Sequence, residues 1–126
     1  MTTKRILVID DEDGVREIIQ FSLETAGGWE VLAAASGSEG LALAEAEQPD
    51  AIILDVMMPD MDGPTTFGHL QASDRTKHIP TILLTAKAKI SEQKQFINLG
   101  VAGVITKPFG VRDLVNQIRN ILNWQD

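Results

Sequence analysis

The chain has 126 residues, a formal charge of −7 at neutral pH, and neither cysteine nor tyrosine. That length suits a single domain spanning residues 1–126 with a sizeable core, and the missing cysteine excludes disulfides, thiol chemistry and cysteine-based zinc sites. The acidic balance argues against general binding to nucleic acid or anionic membrane, whose phosphates would repel it, and no apolar run has signal-peptide or membrane-spanning character, so a soluble cytoplasmic protein is expected.

The first predicted strand is Arg5 to Ile9, an unbroken apolar run that ends at Asp10 and Asp11. Asp13 is expected to cap the helix that follows, whose apolar face is Val15, Ile18, Ile19, Ser22, Leu23 and Ala26. Gly27 and Gly28 stop it. A second strand, Trp29 to Ala34, is poorer in large apolar residues and reads as an edge. Ser36 and Glu39 form a Ser-x-x-Glu capping box for a second helix, carried through Leu41, Ala42, Ala44, Glu45 and Ala46 to Pro49.

The third strand is the organising element. Ala51 to Leu54 is a short apolar run, the mark of a strand covered on both faces, and it delivers one carboxylate, Asp55, at its far end. A loop then turns through Pro59 to Gly63, with Asp60 and Asp62 read as cap or turn formers and Met57 and Met58 as packing residues. Gly63 and Pro64 open the third helix, with Phe67 and Leu70 facing the core. After the polar loop Ser73 to His78, Pro80 introduces a fourth strand, Thr81 to Leu84, ending at Thr85-Ala86. Ser91 is expected to cap a fourth helix whose apolar members are Phe96, Ile97 and Leu99, stopped at Gly100. The last strand, Ala102 to Ile105, ends at Thr106-Lys107-Pro108, and the final helix buries Val111, Leu114, Val115, Ile118, Ile121 and Leu122. His69, His78 and the lysines Lys87, Lys89 and Lys94 read as solvated surface.

Strict alternation of strand and helix implies parallel strands joined by right-handed crossovers, with helices on both faces. Open parallel sheets bind ligands at the carboxyl ends of their strands. The polar residues leaving those ends are Asp10, Asp11, Asp55, Thr85 and Lys107. Three carboxylates held together repel one another until protons or a metal neutralise them, and an all-oxygen set suits a hard ion, Mg²⁺ with Mn²⁺ as the alternative. A divalent cation and one lysine balance three aspartates, so a phosphorylated donor is not turned away. With Asp55 as nucleophile the product is an aspartyl phosphate, the metal and Lys107 neutralising the transferring group and the Thr85 hydroxyl donating to it.

These residues carry a family resemblance. Ile-Asp-Asp-Glu at 9–12, Leu-Asp-Val-Met-Met-Pro-Asp-Met-Asp-Gly at 54–63, Leu-Thr-Ala at 84–86 and Lys-Pro-Phe at 107–109 resemble, in order and spacing, the receiver domain of two-component response regulators. The resemblance covers essentially the whole chain. It implies a flavodoxin-like doubly wound (βα)5 fold with strand order 2-1-3-4-5. It also implies Asp55 as phosphoacceptor, Asp11 as direct Mg²⁺ ligand, Asp10 as a mainly water-mediated one, the Met57 backbone carbonyl as a third protein ligand, a cis-proline at Pro108 and Thr85 as the switch hydroxyl.

Receivers commonly place Tyr or Phe three residues before the lysine, where this chain has Val104, so an inward aromatic swing cannot be its signal. Met57 and Lys87 occupy the variable positions that tune dephosphorylation in the family. The expected function is to accept a phosphoryl group from a histidine kinase or phosphotransfer protein and to signal by a biased conformational change. The expected output is a protein contact through the last two helices and the strand between them, with no direct contact to nucleic acid or membrane. Such a protein promotes only its own phosphorylation and dephosphorylation and is not an enzyme. The alternative is the receiver fragment of a longer DNA-binding or enzymatic regulator. An aspartyl phosphatase would carry a second acid at Met57, and a flavin phosphate would be repelled by Asp10, Asp11 and Glu12.

Overall fold

The structure, a computed structural model, describes residues 3–86 and 89–125. Five strands alternate with five helices: β1 (Arg5–Ile9), α1 (Asp13–Thr25), β2 (Glu30–Ala34), α2 (Gly37–Glu47), β3 (Ala51–Asp55), α3 (Gly63–Ala72), β4 (Thr81–Thr85), α4 (Ile90–Asn98), β5 (Gly103–Thr106) and α5 (Val111–Leu122). All pairings are parallel and the strand order is β2-β1-β3-β4-β5. Every residue of β3 and β4 is buried, whereas β2 at the edge is only half covered. Continuous apolar runs in the central strands are what a sheet with two covered faces requires.

Alternate strand residues feed two separate cores. Ile6, Val8, Ile53, Ile82 and Leu84 pack with Ile19, Leu23, Leu114, Val115 and Ile118 of α1 and α5. Leu7, Ile9, Ile52, Leu54 and Leu83 pack on the other face with Ala44, Phe67 and Leu70 of α2 and α3. The period of two in strand side chains makes this division automatic.

Several local expectations are corrected. The N-cap of α1 is Glu12, with Asp13 already inside the helix; the Asp13 carboxylate pairs with Arg16 instead. Ile18 and Ala26 are exposed, because the buried stripe of α1 narrows to Ile19, Ser22 and Leu23. Lys89 rather than Ser91 occupies the N-cap of α4, again without a side-chain bond. Helix α4 buries no residue at all, leaving Ile97 and Leu99 half exposed, and Val111 at the start of α5 is likewise outside the core. The serine half of the Ser36 box forms, Ser36 accepting from the Glu39 N–H at 3.1 Å, while Glu39 reaches one residue beyond the cap, to the N–H of Ala35 at 3.2 Å. Asp62 caps α3 by accepting from Thr65 N–H at 2.8 Å. No helix among the described residues is long and apolar enough to cross a membrane.

Candidate functional site on the acidic rim

Register places the polar residues together. Ile9 lies opposite Leu54, so Asp10 and Asp55 each emerge one step beyond a paired apolar residue, and Thr85 lies opposite Thr106 just before Lys107. The loop after β3 is pressed against its own strand: a Cβ at Gly63 would stand 2.7 Å from the Asp55 carbonyl oxygen, so only glycine fits the turn that lets the Gly63 N–H donate to Val56 at 2.8 Å.

Lys107 Nζ donates to Asp55 Oδ1 at 2.9 Å and stands 3.6 Å from Asp10 Oδ2. Its main-chain N–H donates to the Thr85 carbonyl at 2.8 Å, and the Lys107–Pro108 peptide is cis. Asp10, Asp55 and Thr85 are all buried. One carboxylate oxygen from each of Asp10, Asp11 and Asp55 lies within 4.8 Å of the others. Asp10 Oδ2 and Asp11 Oδ1 are buried without a hydrogen bond.

The electrostatics follow from this crowding. Burial pushes the Asp55 carboxyl above its ordinary value; the Lys107 hydrogen bond opposes the rise and the charges of Asp10 and Asp11 add to it. For Lys107, burial is the largest single influence and acts downward. The hydrogen bond to Asp55 and the charges of Asp55, Asp10 and Glu12 outweigh it, and the ammonium is held above its ordinary value. A buried carboxylate oxygen without a partner is costly. Two of them facing a third carboxylate, with oxygen as the only donor type, fit a hard divalent cation.

The structure brings Asp10, Asp11, Asp55 and Lys107 into one pocket and buries Thr85 at the end of the neighbouring strand. Met58 packs in the core as expected, but Met57 is 70% exposed and packs against nothing extensive, a correction that follows from the loop turning outward after Val56. Val104 is half buried, His69, His78, Lys89 and Lys94 are exposed, and Lys87 lies outside the described residues. Asp60 proves more than a turn former. Its carboxylate accepts from the Gly37 and Ser38 N–H groups, each at 3.3 Å, tying the β3–α3 loop to the start of α2. Slight burial acts upward on it, but the backbone bonds from Ser38, Gly37 and Met61 prevail and hold its carboxyl below the ordinary value. Sequence reasoning missed this partner because a helix start 22 residues away leaves no local signal. It also missed Arg16, whose spacing of three from Asp13 was the available clue.

A doubly wound parallel sheet with an acid triad and a lysine at its carboxyl edge is the arrangement of a receiver-like domain. The profile of the response regulator receiver domain matches residues 6–119, and the chain belongs to that family. Among curated relatives it is 38% identical over 122 residues to the DNA-binding dual master transcriptional regulator RpaA of Synechocystis, covering 97% of this chain and 50% of that protein. It is 38% identical over 122 residues to the phosphate regulon transcriptional regulatory protein PhoB of Pseudomonas aeruginosa, covering 97% of this chain and 53% of that one. The chain therefore spans about half the length of these relatives. Among solved structures it resembles Vibrio cholerae chemotaxis response regulator CheY4 (TM-score 0.89, 29% identity, 95% of this chain and 99% of that one). A CheY-like receiver domain protein from Methanospirillum hungatei is similar too, with TM-score 0.83, 31% identity, and coverage of 97% and 95%.

Proposed function

We propose that this receiver takes a phosphoryl group onto Asp55 from a phosphohistidine donor, a histidine kinase or phosphotransfer protein. The observation that carries the reading is the Lys107 ammonium 2.9 Å from Asp55 Oδ1, beside two further carboxylates with unpartnered oxygens. An Asp55 oxygen forms the new O–P bond as the donor's P–N bond breaks, the imidazole keeping the electron pair and taking a proton from solvent. Lys107 then exchanges its contact with the bare carboxylate for one with the phosphoryl oxygens, and the Thr85 hydroxyl donates to another of them. Asp10, Asp11, Asp55 and the Met57 backbone carbonyl would hold Mg²⁺, Mn²⁺ being the alternative. When bound, the ion supplies the positive charge that lets an anionic donor approach three aspartates.

The group ends on the protein's own side chain, so the chain is a signalling substrate rather than a turnover enzyme, acting in the cytoplasm. Occupancy of Asp55 draws Thr85 inward and biases the segment 85–106 and α4, whose lack of any buried residue leaves it cheap to shift. A protein partner would read that change on α4, β5 and α5. A second reading has specific support: the chain matches about half of each DNA-binding relative, so the same switch would serve an output domain in a longer regulator. Incubation with a small phosphodonor and Mg²⁺, followed by intact-mass spectrometry, tests the chemistry. A labile adduct of one phosphoryl group is expected, and an Asp55→Asn protein that labels equally would overturn the assignment. Amide shifts unchanged across 85–106 on adding a phosphoryl mimic would refute the switch.

A further inference from the structure

Asp10 is held at three of its four polar positions. Its N–H donates to the Ala34 carbonyl at 3.1 Å, its Oδ1 accepts from the Glu12 N–H at 2.9 Å, and its carbonyl accepts from Arg16 Nη1 at 2.9 Å. The remaining atom, Oδ2, has no hydrogen bond and faces the Lys107 ammonium at 3.6 Å. Arg16 reaches back from the second turn of α1 with its side chain only 18% exposed, and its Nη2 is bonded to the exposed Asp13 carboxylate.

Charge alone would make Arg16 an obstacle, since a cation beside an acid cluster competes with a metal ion. The contact with Asp13 cancels that charge at hydrogen-bond distance and leaves a directional bond to the Asp10 main chain. We propose that Arg16 is a positioning residue for the metal: it clamps the β1–α1 turn so that Asp10 and Asp11 present their unpartnered oxygens toward Asp55 before the cation arrives, with Asp13 as its neutralising counter-ion. This rests on the Mg²⁺ reading above. A guanidinium serves two acceptors in fixed directions, whereas an ammonium is a single point charge on a flexible stem. Groups that orient metal ligands typically set affinity by about 10- to 100-fold.

The test is titration of the isotopically labelled chain with Mg²⁺ alone, followed by amide shifts. Arg16→Met should raise the Mg²⁺ Kd by about tenfold, and Arg16→Lys should recover part of the loss. In the metal-free protein Arg16→Met should quicken hydrogen exchange at the Glu12 N–H, the group bonded to Asp10 Oδ1. The deficit in phosphoryl labelling at low Mg²⁺ should close in excess Mg²⁺, because the ligands remain and only their orientation is lost. An unchanged Kd, or a tighter one, would overturn the proposal and reduce Arg16 to a bystander charge. If Arg16→Met does not fold, Arg16→Lys carries the test: it keeps the charge but not the two fixed bond directions, so its Kd should still exceed the parent's, and a Kd equal to the parent's counts against the clamp. A parent protein whose pocket amides ignore Mg²⁺ would overturn the metal reading itself and this inference with it.

Discussion

At the amino ends of the strands Arg5 bonds the Glu47 carboxylate at 2.9 Å and its carbonyl at 3.0 Å, and lies 3.5 Å from Glu30, while its own N–H meets Asp50 at 2.8 Å. Beside it Trp29 and Trp124 meet edge to face at 5.4 Å, with Lys4 over Trp124 and Arg119 over Trp29. At the carboxyl ends the acids are buried, crowded and partly orphaned, and Lys107 shares its charge between two of them. One end of the sheet pairs its ionic groups with each other at a surface where mispairing costs little; the other sequesters like charges where water cannot relieve them. On the proposed function, the difference separates structural polarity from polarity held for a ligand, and stability lost at such a rim is the usual cost of a functional site.

The largest effect should come from the rim. Asp55→Asn should abolish labelling by a small phosphodonor, measured by intact mass, while the fold persists. Asp10→Asn should come next. Removing one buried like charge should stabilise the metal-free protein by about 1 kcal/mol, raising the thermal midpoint by a few degrees, and should remove most of the extra stability that Mg²⁺ confers on the parent.

The pH dependence has a defined sign in the metal-free protein. Asp55 holds its proton more tightly folded than unfolded, so its contribution favours the fold most below the unfolded value of 3.8 and is lost as pH rises through the interval up to the raised folded value. Lys107 is also raised: its contribution is full below the unfolded value of 10.5 and is lost as pH climbs through the folded one. Urea unfolding across pH should show the acid-side stabilisation from Asp55 disappear in Asp55→Asn, leaving the opposite acid-side trend of Asp60, and the alkaline limb shrink in Lys107→Met.

The opposite end should respond in stability alone. Trp124→Ala removes an edge-to-face pair and a cation–π contact and should cost about 1–2 kcal/mol with labelling intact. Arg5→Met should be the smallest effect, within about 1 kcal/mol because its ion pairs are solvated. Loss of phosphoryl labelling in either variant would erase the distinction between the two ends.

Much of the rim is legible in sequence because Asp10, Asp55 and Thr85 each directly end an apolar run and Lys107 follows one by a single residue, Thr106, and an unbroken apolar run marks a strand of a covered sheet. Helix faces are less legible. Periodicity assigns Ile18, Ala26 and Val111 to apolar stripes, yet a helix lying on a narrow part of a twisted sheet covers fewer positions than its pattern offers. Caps fail similarly: Asp13 and Ser91 have the right chemistry, but Asp13 had a better partner in Arg16 and α4 begins one residue earlier than Ser91.

Local pattern was sufficient for five alternating strands and helices, the two-faced burial of β3 and the identity of the acids, because periodicity and chain-end chemistry act within a few residues. The reach of Lys107 to Asp55 across 52 positions, the clamp of Arg16 on the Asp10 carbonyl and the tie from Asp60 to the start of α2 came from packing alone. A one-dimensional pattern says which residues leave the sheet, whereas the directions and distances at which they meet depend on how the layers twist and close around it.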